Sequence, residues 1–326
     1  MGRLRETVRH PFGQRRRHRH PAYLASAVNL VNEGLSGELA GALRERGLRG
    51  IVLKGPALRR WLYGDTADRM SLDIDLLVSW DDLEAVEGVL NGTGWRYLGI
   101  DAIGEHRPHC RVWERPDNGL ILELHRTLAG IGAPPSKTWA VLSSHTEELA
   151  IGGARMDVLD VPARAFHVAL HATQHGTELE RTQEDLRRAA GQVSHEAWQE
   201  AADLAGELQA MSAFTTGLAL VAEGRALLTS LNLPVERSTE AALRAGGAPP
   251  MAEGLDWVVR QRGWRAKLSF LARHVVPPRG YMRVWFPPAR RGRLGLVAAY
   301  AWRPVWLLLR VGPAVKAWLG ARRVSN

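Results

Sequence analysis

Cysteine and long apolar runs are scarce in this sequence. Cys110 is the only cysteine among 326 residues, which excludes an intramolecular disulfide. No group of Cys and His residues has the spacing of a zinc site. The N-terminus lacks the apolar run of a signal peptide, and no uncharged stretch reaches the roughly 18 apolar residues that span a bilayer. We therefore expect a cytoplasmic protein, at most peripheral to the inner face of the membrane.

Acidic residues are absent from the last part of the chain. Residues 257–326 contain fifteen Arg or Lys and no Asp or Glu, and residues 1–21 contain seven Arg against a single Glu. Because the whole chain carries +9, the residues between these ends carry −12. We expect residues 1–21 to form a disordered tail, either simply solvated or attracting RNA or anionic lipid. The basic ends favour a large anionic partner.

The segment Asp73-Ile74-Asp75 is the chemical centre of the sequence. Residues two apart in a strand point to the same face, so both carboxylates project together while Ile74 faces the core. Carboxylates so close repel each other unless a cation lies between them, and hard oxygen ligands suit Mg²⁺, whose coordination is often completed by phosphates. The pattern indicates metal-dependent phosphate chemistry, with turn-capping carboxylates as the alternative.

A glycine turn precedes this strand. The apolar run Ile51-Val52-Leu53 ends in Lys54-Gly55, and Pro56 stands where a helix would begin. Backbone amides at a glycine turn that opens a helix, with a lysine beside them, make an anion site of the kind that holds a triphosphate.

These motifs together resemble a known family. Leu53-Lys54-Gly55, Arg69 and the strand from Asp73 to Val78 are similar to the uncharacterised nucleotidyltransferase family of the DNA polymerase β-like superfamily. The resemblance implies nucleotidyl transfer with two Mg²⁺ ions, which Mn²⁺ could replace, and an NTP substrate, with ATP expected first. It also implies a third carboxylate on a later strand.

Glu123 is our candidate for that third carboxylate. In the strand Leu120–His125, Glu123 and His125 share one face while Leu122 and Leu124 share the other. The family usually has an Asp-x-His pair here, so this chain departs from it by one methylene. We predict metal ligation by Asp73, Asp75 and Glu123, which form the catalytic set, and nucleotide binding by Lys54, Gly55, Arg69, His125, His171 and His175. For Arg69 the alternative is a surface arginine that pairs with Asp65 or Asp68.

The order of elements predicts an α+β fold. Helices over Ala22–Val31 and Leu39–Arg46 precede a β-α-β-α-β-β-β series with helices at 57–63 and 80–90, which makes a small mixed sheet, and a hairpin around Gly152-Gly153 closes it. From Pro162 onward the apolar spacing is helical. We predict a catalytic domain over 22–160, an all-α domain over 161–245 with helices at 194–211 and 214–231, and a basic C-terminal extension over 246–326.

Three histidines, His167, His171 and His175, are spaced by four and therefore lie along one helix face, with Asp185 ten residues further on. The resembled family carries a similar His-x-x-x-His segment and a later Asp-Leu pair. Three interpretations remain open: metal binding, ordinary packing at an interface, or lining of the cleft opposite Asp73, with His171 or His175 touching base, ribose or acceptor.

The basic extension contains six of the twelve tryptophans. Its apolar stretches are interrupted at Arg303-Pro304, Arg310 and Gly312-Pro313, which argues for short amphipathic helices rather than a spanning one. The segment could wrap the acidic body with its tryptophans buried and its arginines paired, lie on an anionic membrane surface, or bind RNA.

The sequence thus predicts a Mg²⁺-dependent nucleotidyltransferase that moves an NMP from an NTP to a small molecule or an RNA end and releases pyrophosphate. Two alternatives stay open: a regulatory module that binds nucleotide without turning it over, and a peripheral membrane or RNA-binding protein. No protein partner is predicted.

Overall fold

A computed structural model describes residues 21–64, 69–71, 73–99 and 109–325, without the side chains of 21–24. The predicted tail over 1–21 therefore lies almost wholly outside the described residues. The strands are β1 (Gly50–Val52), β2 (Asp73–Val78), β3 (Arg96–Tyr97), β4 (Cys110–Arg115), β5 (Leu120–His125), β6 (Thr146–Ile151) and β7 (Ala154–Leu159). The helices are α1 (Pro21–Arg44), α2 (Pro56–Tyr63), α3 (Leu83–Gly92), α4 (Pro135–Leu142), α5 (Val161–His175), α6 (Glu180–Gln192), α7 (His195–Glu207), α8 (Met211–Ala219), α9 (Ala222–Ser230), α10 (Thr239–Ala245), α11 (Pro250–Arg260), α12 (Trp264–Val275), α13 (Arg279–Trp285) and α14 (Gly292–Ser325).

Within the described ranges, seven strands form one mixed sheet in the order β3-β4-β5-β2-β1-β7-β6. Strand β2 lies in the middle, parallel to β5 and antiparallel to β1. The predicted α+β fold and its β-α-β-α-β-β-β order are confirmed, as is the closing hairpin, in which β6 pairs antiparallel with β7.

Helices cover both faces of the sheet. On one face, Ile74 and Leu76 of β2 pack with Leu122 and Leu124 of β5 against α1 and α3. On the other face, Ile51 and Leu77 pack against α5 and the helices that follow it. The predicted boundary at residue 160 thus runs through a shared hydrophobic cluster, so the sheet and the helical half bury one core between them.

The structure corrects two predicted boundaries. The two helices expected before β1 are one helix, α1, because Gly37 brings its backbone against the β6–β7 turn rather than ending the helix; a Cβ there would lie 2.6 Å from the Gly152 carbonyl oxygen. The helix expected over 214–231 is divided into α8 and α9, since Val221 is extended and Gly224 packs against the Leu218 carbonyl.

The C-terminal extension also differs from expectation. Helix α14 continues through Pro304 and Pro313 for 34 residues, so the predicted interruptions do not divide it. It packs on α10, α11 and the 3₁₀ turn over Pro287–Arg290, and these contacts lie on both sides of the prolines and hold the helix together. Among the described helices, α14 alone is long and apolar enough to cross a membrane by length and composition, with 11% of its most apolar window buried.

Gly217 of α8 is where the helical half packs most closely. An added Cβ would lie 2.0 Å from the Ala169 carbonyl oxygen of α5, whereas at Gly191 of α6 a Cβ would meet nothing within 4 Å. We expect Gly217→Ala to lower the free energy of unfolding by about 1–3 kcal/mol, because α8 must move away from α5. Gly191→Ala should instead raise it by about 0.5–1 kcal/mol, since alanine favours helix. Urea denaturation of both variants tests this, and equal effects would contradict it.

Candidate active site

The predicted carboxylates share one face of the sheet. Side chains alternate along β2, so Asp73, Asp75 and Leu77 point towards α5 while Ile74 points to the opposite cluster. The parallel register places Asp75 beside Glu123 and Leu77 beside His125. Two neighbouring strands thus present four polar groups to the helical half of the protein.

Asp75 is fully buried and bonded on one side only. Its Oδ1 accepts a hydrogen bond from Lys54 Nζ at 2.7 Å and is 3.0 Å from His125 Nε2. Its Oδ2 is buried without a hydrogen-bond partner in the described part of the chain. Burial alone would raise the pKa of Asp75, but Lys54 and then His125 hold it well below its usual value. Asp75 is therefore an anion with one buried oxygen atom left over.

Glu123 and His125 complete a group that could hold a metal ion. One ligand atom from each of Asp75, Glu123 and His125 lies within 4.8 Å of the other two. His125 Nε2 is 3.4 Å from Glu123 Oε2. Burial opposes charge on both side chains, but their mutual contact lowers the pKa of Glu123, and the carboxylates raise the pKa of His125.

Asp73 is near this group without belonging to it. Burial and then the charge of Asp75 raise the pKa of Asp73 to about 6, with a further contribution from Glu123. The predicted trio therefore appears as a close pair, Asp75 and Glu123, with Asp73 beside it. A positive charge added at this position would relieve the repulsion among the three carboxylates.

The glycine turn has the backbone that the motif predicts. Gly55 has φ +64° and ψ −120°, a backbone conformation that residues other than glycine rarely adopt. A Cβ there would lie 2.9 Å from Ser71 Oγ. Pro56 then opens α2. The turn places Lys54 against Asp75 on one side and the start of a helix on the other. The charge of Asp75 raises the Lys54 pKa despite burial, so Lys54 is a cation here.

Arg69 is held away from solvent. Arg69 is 3% exposed, so it does not lie at the surface as the alternative prediction had it, and the partners named there, Asp65 and Asp68, lie outside the described residues. Its Nε and Nη2 donate to Asp185 of α6 at 3.0 and 2.9 Å, and Tyr63 donates to the same carboxylate at 2.7 Å. Arg69 thus ties the segment before β2 to the helical half.

Two asparagines of α1 fix the same segment, and sequence reasoning missed them. Asn29 Nδ2 donates to the Arg69 carbonyl and its Oδ1 accepts from Ser71 N, while Asn32 Nδ2 donates to the Asp73 carbonyl at 2.9 Å. Both asparagines are buried on a helix whose other buried residues are mostly apolar. Polar residues three apart on the packed face of α1 were the signal that could have found them.

The three histidines of α5 lie near Lys54, whose charge acts on all three rings. Their rings follow one another at 6.0 and 4.7 Å between centroids. Burial, and then the charge of Lys54, lower the pKa of His167 to about 3 and of His175 to about 4, and lower that of His171 well below its usual value. They are therefore neutral rings. Among the described residues they form no compact ligand group, unlike His109, Cys110 and His125, which do.

Residues 14–224 match the model of a family described as uncharacterised nucleotidyltransferase. The chain belongs to this nucleotidyltransferase family. The match covers most of the chain up to α9 and includes every predicted site residue, while α10 to α14 lie beyond it. A comparison with curated proteins gives no match.

Three solved structures are similar to this nucleotidyltransferase at low identity. The solution structure of the antibiotic-resistance factor ANT(2″)-Ia has 18% identity and a TM-score of 0.39, and covers 57% of this chain and 94% of that one. The crystal structure of ANT(2″)-Ia in complex with adenylyl-2″-tobramycin has 17% identity and a TM-score of 0.40. The match covers 54% of this chain and 98% of that one. The crystal structure of an antigenic nucleotidyltransferase-like protein from Paracoccidioides brasiliensis has 16% identity and a TM-score of 0.37. The match covers 64% of this chain and 91% of that one. The family assignment rests on the family match alone.

The Arg69–Asp185 pair predicts a measurable difference between neighbouring residues of α6. Asp185 is 1% exposed, so Asp185→Asn leaves a buried guanidinium without its counter-charge and should cost about 3–5 kcal/mol of unfolding free energy. Glu184→Gln is the matched control, because Glu184 pairs with Arg187 and Arg188 at the surface and should change stability by about 0.5 kcal/mol or less. Denaturant titration compares the two. A loss at Asp185 no larger than at Glu184 would refute this assignment.

Proposed function

We propose that this nucleotidyltransferase is a metal-dependent enzyme that transfers an NMP from an NTP to an acceptor hydroxyl or phosphate and releases pyrophosphate. The observation that carries the proposal is the buried, unpartnered Oδ2 of Asp75, next to Glu123 and the high-pKa Asp73. Three carboxylates on one face, with a single lysine among them, form a site that a divalent cation would stabilise.

The donor set fits Mg²⁺. Carboxylate oxygens are the ligands that Mg²⁺ prefers, and Asp73, Asp75 and Glu123 would supply them. Mn²⁺ suits the same oxygens and accepts His125 nitrogen as well. Two such ions, when bound, would neutralise charge on the attacking and leaving oxygens.

The residues around the carboxylates have separate proposed tasks. Lys54 would bind triphosphate oxygens from the side of Asp75, and backbone amides near Gly55 would approach the phosphates because no Cβ stands in the way. Arg69 was predicted to hold the triphosphate; since Asp185 engages its guanidinium, we assign it to positioning the segment before β2. His125 would orient Asp75 and Glu123. Glu123, whose side chain is 29% exposed, would accept the acceptor proton.

The donor is proposed to be ATP, and the α5 histidines would form the wall of the nucleotide site. His171 and His175 are neutral, so they offer ring faces and single hydrogen bonds to a base or ribose without competing for phosphate. The acceptor is a small molecule or an RNA 3′ end, and assays that offer metabolites and RNA separately distinguish the two.

Asp73→Asn should separate activity from stability. The variant removes a repelled carboxylate, so we expect the metal-free protein to be at least as stable as wild type, while label transfer falls by about 100-fold or more because the cation loses a ligand. The measurement offers each α-³²P NTP with Mg²⁺ to total RNA and, separately, to a metabolite extract. Thermal unfolding of the same samples reports stability.

Asp117→Asn is the matched control for this experiment. Asp117 makes the same Asp-to-Asn change in the turn before β5, where its side chain is 64% exposed. It should transfer label at the wild-type rate. Transfer by Asp73→Asn equal to that of Asp117→Asn would refute the mechanism.

Glu123→Asp tests the alternative of a nucleotide-binding module without turnover. If Glu123 is a working ligand, shortening it by one methylene withdraws the carboxylate from the group with Asp75 and His125, and transfer should fall by about tenfold or more. A module with a weakened metal site predicts the reverse, tighter Mg²⁺ binding and no transfer in either protein. Calorimetric Mg²⁺ titration beside the transfer assay distinguishes them.

A further inference from the structure

The positive charges of the C-terminal region are not neutralised by the acidic body. Of the fifteen Arg and Lys in residues 257–326, Arg260 alone forms ion pairs with carboxylates in the described structure, those of Glu240 and Asp256. Trp264, Trp285 and Trp302 are 67%, 45% and 51% exposed. The C-terminal region does pack on the body through α10 and α14, but the prediction that its tryptophans are buried and its arginines paired is wrong for these three tryptophans and for every arginine except Arg260 in the described structure.

Helix α14 has an apolar face on each side. The packed side carries Ala299, Arg303, Ala314 and Ala321. The opposite side carries apolar residues at helical spacing, whose exposed fractions are 86% for Leu294, 66% for Val297, 44% for Val305, 74% for Leu308, 69% for Leu309 and 43% for Leu319. A surface helix in water normally turns a polar face outward, so this outer side is suited to an apolar environment.

Helix α12 repeats the pattern. Trp264, Leu268, Leu271 and Val275 are spaced by four, three and four residues, which places them on one side of the helix, and all four are exposed. Arg265, Lys267 and Arg273 lie between them in the sequence. A tryptophan, an aliphatic stripe and flanking cations are the composition of a helix that lies in the headgroup region of a membrane.

The packing of α14 favours lying on a membrane over crossing one. Arg303 Nε donates to the His274 carbonyl at 2.8 Å, and its guanidinium stacks on Tyr281, Phe286 and Trp306 at 5.2 to 5.8 Å from the ring centroids. One side of the helix is thus fastened to the end of α12, to α13 and to Phe286 just after α13. If α14 spanned a bilayer, α12 and α13 would enter it as well and bring Arg265, Arg273 and Arg283 into the hydrocarbon region.

We propose that α12 and α14 form a docking surface for an anionic phospholipid bilayer. Exposed cations on these two helices, among them Arg265, Arg273, Arg293, Arg310 and Lys316, match the sign of the headgroups, and the exposed aliphatic residues match the acyl boundary. Exposed leucines and valines offer RNA neither a positive charge nor a hydrogen bond. A second copy of this chain would bring two basic surfaces against each other. The proposal does not depend on nucleotidyl transfer.

Vesicle co-sedimentation of the full-length protein tests the proposal. The wild type should pellet with vesicles of phosphatidylcholine and phosphatidylglycerol. With vesicles of phosphatidylcholine alone, the bound fraction should be lower by about tenfold or more. High salt should weaken the binding. The triple variant Leu294→Ser/Leu308→Ser/Leu309→Ser keeps every charge and should bind anionic vesicles about tenfold or more weakly, since three apolar groups no longer insert.

Leu30→Ser/Val235→Ser is the matched control, because both residues are exposed apolar positions outside the docking surface. This variant should bind like wild type, and circular dichroism should show that each variant stays folded. The proposal is overturned if anionic vesicles do not pellet the wild type, or if the control variant loses as much vesicle binding as the triple variant. It is also overturned if the wild type self-associates without binding vesicles and the triple variant abolishes that self-association. Finally, membrane association in cells that resists alkaline carbonate and yields only to detergent would mark a spanning helix and overturn it.

Discussion

The ion pair between Lys54 and Asp75 is the interaction on which the site depends. Asp75 has no exposed surface, and a buried carboxylate without a partner would cost several kcal/mol. Lys54 offsets that cost through one oxygen only, so Oδ2 remains unpaired while Asp73 and Glu123 add negative charge. Burial, and then the charge of Asp75, raise the pKa of Asp73 to about 6. The fold thus tolerates the cluster but leaves it short of positive charge, which supports the proposed cation site over a structural salt bridge.

Helices α6 and α1, on opposite faces of the sheet, take part in this arrangement through buried polar contacts. Asp185 holds Arg69, Asn29 holds the Arg69 carbonyl and Ser71, and Asn32 holds the Asp73 carbonyl. Each contact acts on backbone or side chain immediately before β2, where a small shift would move both aspartates. Precise placement of catalytic groups requires such support. Sheet, α1 and α6 therefore operate as one unit, in agreement with the hydrophobic cluster that crosses the expected domain boundary.

Local patterns in the sequence were sufficient for the strands and the carboxylates, but not for long-range partners. Alternation along β2 and β5 placed Asp73, Asp75 and Glu123 on one face, because strand periodicity is a property of neighbours in the chain. Asp65 and Asp68 are the carboxylates nearest to Arg69 in the sequence, whereas Asp185, which Arg69 binds, lies 116 residues away. Helix α1 is a second example: the sequence predicts two helices before β1, whereas Gly37 lies within a single helix and contacts the β6–β7 turn. Such roles depend on tertiary packing, which no local spacing encodes.

The prolines of α14 show why the C-terminal region was harder still. A proline removes one hydrogen bond and crowds the preceding turn, so two of them in an apolar segment suggest breaks. Here contacts on both sides of Pro304 and Pro313 keep the helix continuous, and continuity is what aligns Leu294, Val305 and Leu308 on one side. Single exposed apolar residues are ordinary, but a row of them costs solvation free energy at every turn. A row maintained beside unpaired cations is therefore best explained by a partner that is both apolar and anionic.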